Sequence, residues 1–255
     1  MAAVQMVSAP EVAANLAAAR RLIVSAAAAG AKLVALPENF YIIGRHEGDK
    51  VKVREVDGRG PIQQFLSEVA KEHRLWILAG TVPISSEDET RIRSACLVYD
   101  DKGQRVARYD KMHLFRFQQG AESYDEARTV EPGSKPLAVD SPFGRLGLSV
   151  CYDVRFPEVY RALGEVEVIF VPSAFTVPTG AAHWETLLRA RAIENQAYVV
   201  APAQGGTHAS GRRTYGHTMI IDPWGEVLGV QPEGEGVVLA EIDLEHSRQL
   251  RRRFA

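Results

Sequence analysis

Hydrophobic and polar residues alternate along this chain with two different periods, which predict a regular succession of strands and helices. Short apolar runs such as residues 33–36 (LVAL) are typical of strands buried on both faces. Longer segments with apolar residues three and four positions apart, such as 181–197, are typical of helices that pack on a sheet. We predict strands at 2–8, 32–38, 76–82, 94–99, 104–109, 144–151, 166–171, 198–202, 217–221, 226–230 and 237–242. We predict helices at 10–29, 60–75, 157–163, 181–197 and 244–254.

The order of these elements predicts an α/β layered fold. Hairpin turns at 100–103 (DDKG) and 222–225 (DPWG) make the sheets mixed rather than purely parallel. About a dozen strands are many for one open sheet, so we predict two packed sheets with helices outside. We find no linker, repeat or low-complexity tract, and we predict one domain over 1–255. Residues 112–134 are predicted to form a long polar loop, which at this length inside a compact domain is typical of functional loops.

The segment 144–158 (GRLGLSVCYDVRFPE) predicts a strand that ends at Cys151 and a helix that opens near Pro157. A cysteine at this turn lies at the open edge of a sheet, where α/β proteins form their crevices. Nearby backbone amides and the positive end of the helix are expected to favour thiolate over thiol. The alternative is that Cys151 is a packing residue, because cysteine is among the most buried residue types.

Composition narrows the function classes. The chain has 255 residues, 46% hydrophobic and 24% charged, with a net charge of −2, which gives no electrostatic case for nucleic acid or an anionic membrane. Two cysteines form no disulfide framework and fit a reducing compartment. With no signal-peptide pattern or apolar run long enough to cross a bilayer, we expect a soluble cytoplasmic protein. The seven histidines show no paired ligand spacing, so we expect no metal.

Three chemically useful side chains lie at or just after the ends of predicted strands: Glu38, Lys111 and Cys151. Each has an ordinary alternative: Glu38 could cap a helix, Lys111 could be a surface charge and Cys151 could pack in the core. Together they could hydrolyse an amide, with a carboxylate base, a thiol nucleophile and an ammonium that stabilises the oxyanion. Because Glu38 follows an apolar run, partial desolvation should raise its pKa unless the lysine offsets the effect.

Three ordered segments at 36–40 (LPENF), 109–115 (YDKMHLF) and 151–158 (CYDVRFPE) resemble the signature motifs of the carbon–nitrogen hydrolase (nitrilase) superfamily. The similarity extends nearly end to end, including 172–175 (PSAF), 183–195 and 215–225. It implies an αββα sandwich with two mixed sheets, four layers in all, and assembly into a homodimer or higher homo-oligomer. The resemblance also implies that the reaction needs neither a metal nor an organic cofactor.

The resemblance also implies the role of each site residue. Glu38 would be the general base, Lys111 the oxyanion stabiliser and Cys151 the nucleophile, with the amide of Tyr152 as a second oxyanion donor. Glu126 would orient Lys111 and the substrate, although the residues alone do not distinguish it from Glu122 or Asp125. The implied reaction passes through a thioester and yields an acid and ammonia.

Within the superfamily the chain is similar to the Nit-type amidases, especially the deaminated-glutathione amidases and then the ω-amidases of 2-oxo acids. Both act on anionic amides, and arginine suits a carboxylate through bidentate pairing. We predict Tyr152, Arg155, Phe175 and Thr176 as substrate-binding residues. Arg212 or Arg213 is a second candidate for the carboxylate, and Arg155 could instead brace a neighbouring carboxylate.

Two further functions remain open. The same catalytic groups would serve a nitrile, so a nitrilase is an alternative. A non-catalytic interaction protein on this fold is another, although all catalytic positions are filled. Lipoprotein acyltransferase and NAD-synthetase relatives need membrane spans or a synthetase domain, which this sequence lacks. The expected partner is a small amide, not nucleic acid or a membrane.

Overall fold

Two stacked β-sheets form the centre of the protein, whose computed structural model describes residues 1–119 and 122–254. In these residues the first sheet has seven strands and the second has six, and two separate antiparallel strand pairs lie outside them. The strands are β1 (Ala2–Gln5), β2 (Leu33–Ala35), β3 (Trp76–Leu78), β4 (Val82–Ser85), β5 (Ile92–Tyr99), β6 (Arg105–Asp110), β7 (Arg116–Gln119), β8 (Glu122–Asp125), β9 (Leu137–Ser141), β10 (Gly144–Leu148), β11 (Val168–Phe170), β12 (Tyr198–Ala201), β13 (Gly205–Thr207), β14 (Arg213–Tyr215), β15 (Thr218–Ile221), β16 (Val227–Gln231) and β17 (Gly236–Leu239).

The helices are α1 (Val12–Ala28), α2 (Asp49–Lys52), α3 (Pro61–His73), α4 (Pro157–Ala162), α5 (Val177–Asn195) and α6 (Leu244–Phe254). Of these, α1, α3 and α5 pack against strands of the two sheets. Two 3₁₀ turns, Glu126–Arg128 and Cys151–Arg155, lie next to the site described below. Across the described residues, no helix has both the length and the hydropathy that a membrane span requires.

Both sheets are mixed, as the sequence predicts. The first has the order β17-β1-β2-β3-β5-β4, with β6 also paired to β5, and its β1, β2 and β3 are parallel. The second has the order β16-β15-β12-β11-β10-β9, with β10, β11 and β12 parallel. Strands β2 and β10 end at the same edge of the sandwich, and their carboxyl ends lead to Glu38 and Cys151.

The alternation of side chains along β1 separates the layers. Ala3 packs in a core shared with Leu146 and Val168 of the second sheet, whereas Ala2 and Val4 pack with the buried faces of α1 and α3. On the second sheet α5 contacts β12 and β15. The layers are therefore helix, sheet, sheet, helix, which confirms the predicted αββα architecture.

Two predictions of local structure are wrong. The segment 76–82 forms two strands because the backbone turns at Gly80 and interrupts the extended conformation. Gly80 has φ +60°, and a Cβ at this position would lie 2.0 Å from the Pro37 carbonyl oxygen. The predicted loop 112–134 contains the hairpin β7–β8, in which Phe117 pairs with Tyr124. Within this predicted loop, Gly120, Ala121 and the side chains of Gln119 and Glu122 lie outside the described residues.

Candidate active site

Cys151 begins the 3₁₀ turn that follows β10 and is held in a strained backbone conformation. Its φ is +51°, in the left-handed region that residues with a Cβ seldom occupy. Its N–H donates to the Pro172 carbonyl at 2.9 Å, which ties the turn to the neighbouring strand β11. The residue is 7% exposed. The sharp turn directs the sulfur away from the strand and into a cavity that this side chain lines.

Asp153 holds this turn in place and was not singled out by the sequence analysis. Its fully buried carboxylate accepts the Val150 N–H at 2.9 Å and the Tyr109 hydroxyl at 2.8 Å. It also accepts the His113 N–H at 2.9 Å, and the His113 ring nitrogen Nδ1 lies 2.8 Å away. Asp153 thereby joins the Cys151 turn to the segment that carries Lys111. An acid two positions after the predicted nucleophile was the available signal.

Glu38 follows β2 and is 2% exposed. Its backbone carbonyl accepts the Gln204 side-chain amide at 3.1 Å, and the next N–H, of Asn39, donates to the Thr81 hydroxyl at 2.8 Å. The break at Gly80 allows this close approach because any side chain there would collide with Pro37. The Gly80 turn between β3 and β4 therefore supports the position of the carboxylate.

Lys111 directly follows β6 and is 1% exposed. Its ammonium Nζ donates to Glu38 Oε1 at 2.8 Å and to Glu126 Oε1 and Oε2 at 2.9 and 2.7 Å. The backbone of Lys111 is fixed by Ser94 and by Gly133, whose N–H donates to the Lys111 carbonyl at 2.8 Å. One buried ammonium thus bridges two carboxylates.

Of the three acids that the sequence left open, Glu126 contacts Lys111. It begins a 3₁₀ turn after β8, and its carboxylate also accepts the Phe115 N–H at 2.6 Å. Asp125 instead lies 4.0 Å from Arg116 and 3.8 Å from Arg128. The side chain of Glu122 is among those outside the described residues.

The charges of this cluster reinforce one another despite burial. Burial opposes the Lys111 charge, but Glu126 and Glu38 outweigh it and hold the lysine pKa well above its ordinary value. Burial likewise opposes ionisation of Glu126, but chiefly Lys111 holds the pKa of this carboxyl below its usual 4.5. The cluster therefore contains an ammonium and a carboxylate at neutral pH.

The expectation that the turn favours a Cys151 thiolate is wrong for this structure. Burial and then the negative charge of Glu38 raise the pKa of the thiol well above 9.0. Lys111 and the backbone N–H of Ala174 act in the opposite direction but do not compensate. The sulfur therefore carries its proton at neutral pH and needs a base before it can attack.

All eight residues predicted for the site line one cavity. They are Glu38, Lys111, Glu126, Cys151, Tyr152, Arg155, Phe175 and Thr176. The structure brings them together, while the roles assigned to them stay predictions. The aromatic wall formed by Phe115 and Tyr124 was missed, although the alternation of Phe115, Phe117 and Tyr124 around a turn was a signal for the hairpin that carries it.

Arg155 faces the cavity without a carboxylate partner in the described part of the chain. Its guanidinium lies 3.2 Å from His183 Nδ1 and over the rings of Tyr152 and Phe175, 5.7 and 5.6 Å from their centroids. The alternative in which Arg155 braces a carboxylate is therefore wrong. Arg212 also lines the cavity, whereas Arg213 is exposed and is not among its lining residues.

No group of three or more His, Cys, Asp or Glu side chains suited to a metal ion occurs within residues 1–119 and 122–254. His113 stacks on Phe156 with ring centroids 3.7 Å apart, and His217 stacks on Tyr215 at 3.9 Å. These two histidines therefore pack against aromatic rings.

A sequence model of the family described as carbon-nitrogen hydrolase matches residues 1–252. The chain belongs to the carbon-nitrogen hydrolase family. It is 44% identical over 260 residues to a deaminated glutathione amidase of Synechocystis, covering 99% of this chain and 94% of that protein. The hydrolase therefore has a relative similar in sequence over nearly its whole length.

Two solved structures share the fold of this hydrolase. The NitFhit protein of C. elegans superposes with a TM-score of 0.90 at 38% identity, covering 99% of this chain and 62% of that one. Nit3 of Saccharomyces cerevisiae, described as a member of branch 10 of the nitrilase superfamily, has a TM-score of 0.87 at 30% identity. The superposition with Nit3 covers 99% of this chain and 92% of the Nit3 chain. The hydrolase thus retains the Nit-type fold from end to end.

Proposed function

We propose that this hydrolase cleaves the amide of deaminated glutathione through a thioester on Cys151. The observation that carries the proposal is the contact of Lys111 with both Glu38 and Glu126 in the cavity that Cys151 lines. The 44% identical Synechocystis protein supports the choice of substrate, because it is a deaminated glutathione amidase.

The first step forms the carbon–sulfur bond. Because burial keeps the Cys151 thiol protonated, Glu38 takes the proton as the sulfur attacks the amide carbon. The carbonyl oxygen then becomes an oxyanion, which Lys111 Nζ and the Tyr152 N–H would stabilise. Tyr152 is the second residue of a 3₁₀ turn, where N–H groups have no partner within the turn.

The second step breaks the carbon–nitrogen bond. Glu38, now protonated, donates its proton to the leaving nitrogen and becomes a carboxylate again, which leaves the acyl group on Cys151. The same carboxylate then removes a proton from water, whose oxygen attacks the thioester. Collapse of that intermediate returns the proton to the sulfur and releases the acid. Glu38 thus acts as the base for both the thiol and the water, and no other base is needed.

Glu126 acts on this cycle through Lys111. Its two oxygens hold Nζ at 2.9 and 2.7 Å and keep the ammonium charged when Glu38 becomes protonated. Without Glu126, Lys111 would lose its remaining carboxylate partner at the moment when its charge is needed. Glu126 is therefore a positioning residue in this proposal.

The charges of the cavity fit an anionic substrate. Deaminated glutathione carries a 2-oxo acid on the acyl side of its amide, and Arg155 has no carboxylate partner in the described residues. A guanidinium recognises a carboxylate through two parallel hydrogen bonds. For this substrate the released amine is the dipeptide cysteinylglycine, whereas a primary ω-amide releases ammonia.

A substrate comparison tests the proposal. Purified protein is given deaminated glutathione, 2-oxoglutaramate and simple aliphatic nitriles, and the release of 2-oxo acid, dipeptide and ammonia is measured. We expect kcat/KM to be highest for deaminated glutathione. A preference for the nitriles would make the protein a nitrilase, and no turnover of any compound would favour a non-catalytic role.

We also propose that the protein works as a homodimer in the cytoplasm. Ile193, Trp224, Leu228 and Val230 are between 43% and 58% exposed in this single chain, and exposed apolar residues that form a patch mark interaction surfaces. Sedimentation-velocity measurements at micromolar concentration test the dimer. A monomer at all concentrations would contradict it.

A further inference from the structure

A second groove continues from the active-site cavity toward the surface. The two share Asn39, Glu47, Lys50, Tyr124 and Arg212. The outer groove is open to solvent and extends between the segment 42–46 and Ser210. An amide longer than its acyl group would therefore have room beyond Cys151, on the side where Arg212 lies.

Arg212 stands at the junction of the two spaces with an unused donor. Its Nε is buried and has no hydrogen-bond partner among the described residues. Its Nη2 donates to the Ala174 carbonyl at 3.3 Å, and its guanidinium lies over the Tyr124 ring, 5.4 Å from the centroid. Because an unsatisfied buried donor is costly, the geometry favours an acceptor that arrives with a ligand.

The acidic side chains near Arg212 pair with other basic residues. Lys50 pairs with Glu47 at 3.3 Å, and Asp125 lies near Arg116 and Arg128. No ion pair joins Arg212 to a carboxylate in the part of the chain that the structure describes. Among the described residues, the guanidinium groups of both Arg155 and Arg212 thus line the cavity without an acidic partner. This arrangement suits a ligand with two separate carboxylates.

We propose that Arg212 binds a carboxylate on the amine side of the scissile amide and so selects extended, peptide-like amides. The inference rests on the proposed function. Arg155 belongs to the same 3₁₀ turn as Cys151, so an acyl group held on the sulfur stays close to Arg155. The amine portion must leave, and the groove beyond Arg212 leads outward. Arg212 therefore faces the departing half of the substrate.

Binding to an inactive enzyme tests this assignment without depending on turnover. In the Cys151→Ala background, calorimetry compares deaminated glutathione with the same compound whose glycine carboxylate is a carboxamide. We expect the acid to bind about 10- to 100-fold more tightly, as for a charged hydrogen bond. Adding Arg212→Ala should bring this ratio close to one, and Arg212→Lys should restore part of it. Adding Arg213→Ala, an exposed neighbour, should leave the ratio unchanged.

Several results would overturn the inference. Equal binding of the acid and the carboxamide, or no measurable binding of either, contradicts a carboxylate site. Equal weakening of both ligands by Arg212→Ala would assign the arginine to support of Ala174 instead. Turnover by the unmodified enzyme is scored separately: hydrolysis of deaminated glutathione with no acid–carboxamide difference would leave the proposed function standing and remove Arg212 from it.

Discussion

The two cysteines of this protein belong to the same buried cluster between the sheets, yet their surroundings differ completely. Cys96 lies within β5 in regular extended backbone, paired with Tyr109 of β6. Cys151 lies beyond the end of β10 with a left-handed φ of +51°. Burial raises the pKa of both thiols. For Cys96 no other cause contributes, whereas for Cys151 the charges of Glu38, Lys111 and Glu126 also act.

The comparison shows that burial alone does not distinguish these two thiols. What distinguishes Cys151 is the set of charged groups beside it, which in the proposed reaction take its proton and stabilise the charge that follows. A regular strand such as β5 directs its side chains into the sheet faces, whereas a turn after a strand presents its side chain to a cavity. The location of a thiol within its element therefore indicates its chemistry better than its exposure.

The largest effect is expected from Cys151→Ala. Removal of the proposed nucleophile should lower kcat by at least about 10⁴-fold, because no thioester can form. Steady-state release of 2-oxo acid from deaminated glutathione measures it, and circular dichroism checks the fold. Residual activity above one hundredth of the original rate would show that another group attacks.

A smaller loss is expected from Glu38→Gln. The amide keeps the size of the side chain but cannot accept the thiol proton, so kcat should fall by about 10²- to 10⁴-fold. Loss of the Glu38 charge removes one cause of the raised Cys151 pKa, so alkylation of the thiol by iodoacetamide at pH 8 should not slow while turnover falls. Normal turnover would remove Glu38 from the proton transfer.

Replacement of Lys111 by alanine should cost about 10²- to 10³-fold in kcat, the range for one oxyanion donor. It should also destabilise the fold, because Glu38 and Glu126 would face each other in a buried site without their cation. Lys111→Met separates the effect of the lost charge from that of the lost side-chain volume, because methionine restores the volume without the charge. A near-normal kcat in either variant would contradict the assigned role.

The pH dependence of stability tests the Glu126–Lys111 contact. The folded pKa of Glu126 is lower than its ordinary 4.5, so the contact stabilises the protein above that pH and is lost as pH falls through the folded value. Glu126→Gln should therefore lower the free energy of unfolding by about 1–3 kcal/mol at pH 7. Urea unfolding at pH 7 and pH 4 should show a smaller difference at pH 4. An equal difference at both values would contradict the contact.

The smallest effect on catalysis is expected from Cys96→Ala, the matched control for Cys151→Ala. Loss of one buried sulfur should cost about 1 kcal/mol of stability, as for other small deletions in a packed core. The kcat should stay within about twofold of the original. A loss comparable with that of Cys151→Ala would mean that the core, not the thiol, limits activity.

The layered fold was predictable because its signals are local. The apolar run before Glu38 and the helical spacing over 181–197 each identify one element, and α6 spans the predicted 244–254. The strand break at Gly80 was not predictable in this way. It depends on contact with Pro37, more than forty residues earlier in the chain, which no pattern around Gly80 contains.

The site was predictable where its residues end strands or match a motif, as Glu38, Lys111 and Cys151 do. The protonation state of Cys151 was not, because the balance between burial and four neighbouring groups depends on their distances in the folded chain. The sequence left Arg212 and Arg213 as equal candidates, and the contact of Arg212 with the distant Ala174 carbonyl separates them. The contact of Asp153 with Tyr109 likewise joins segments far apart in the chain, which no local pattern contains.

Trapping the acyl-enzyme tests the central claim most directly. Wild-type protein is mixed with deaminated glutathione, and the reaction is quenched in acid within the first turnovers. The protein is then digested, and mass spectrometry measures the masses of the peptides that contain Cys96 and Cys151. We predict a 2-oxoglutaryl group on the Cys151 peptide and none on the Cys96 peptide. Turnover that leaves both peptides unmodified at every quench time, or an acyl group on Cys96, would contradict the account.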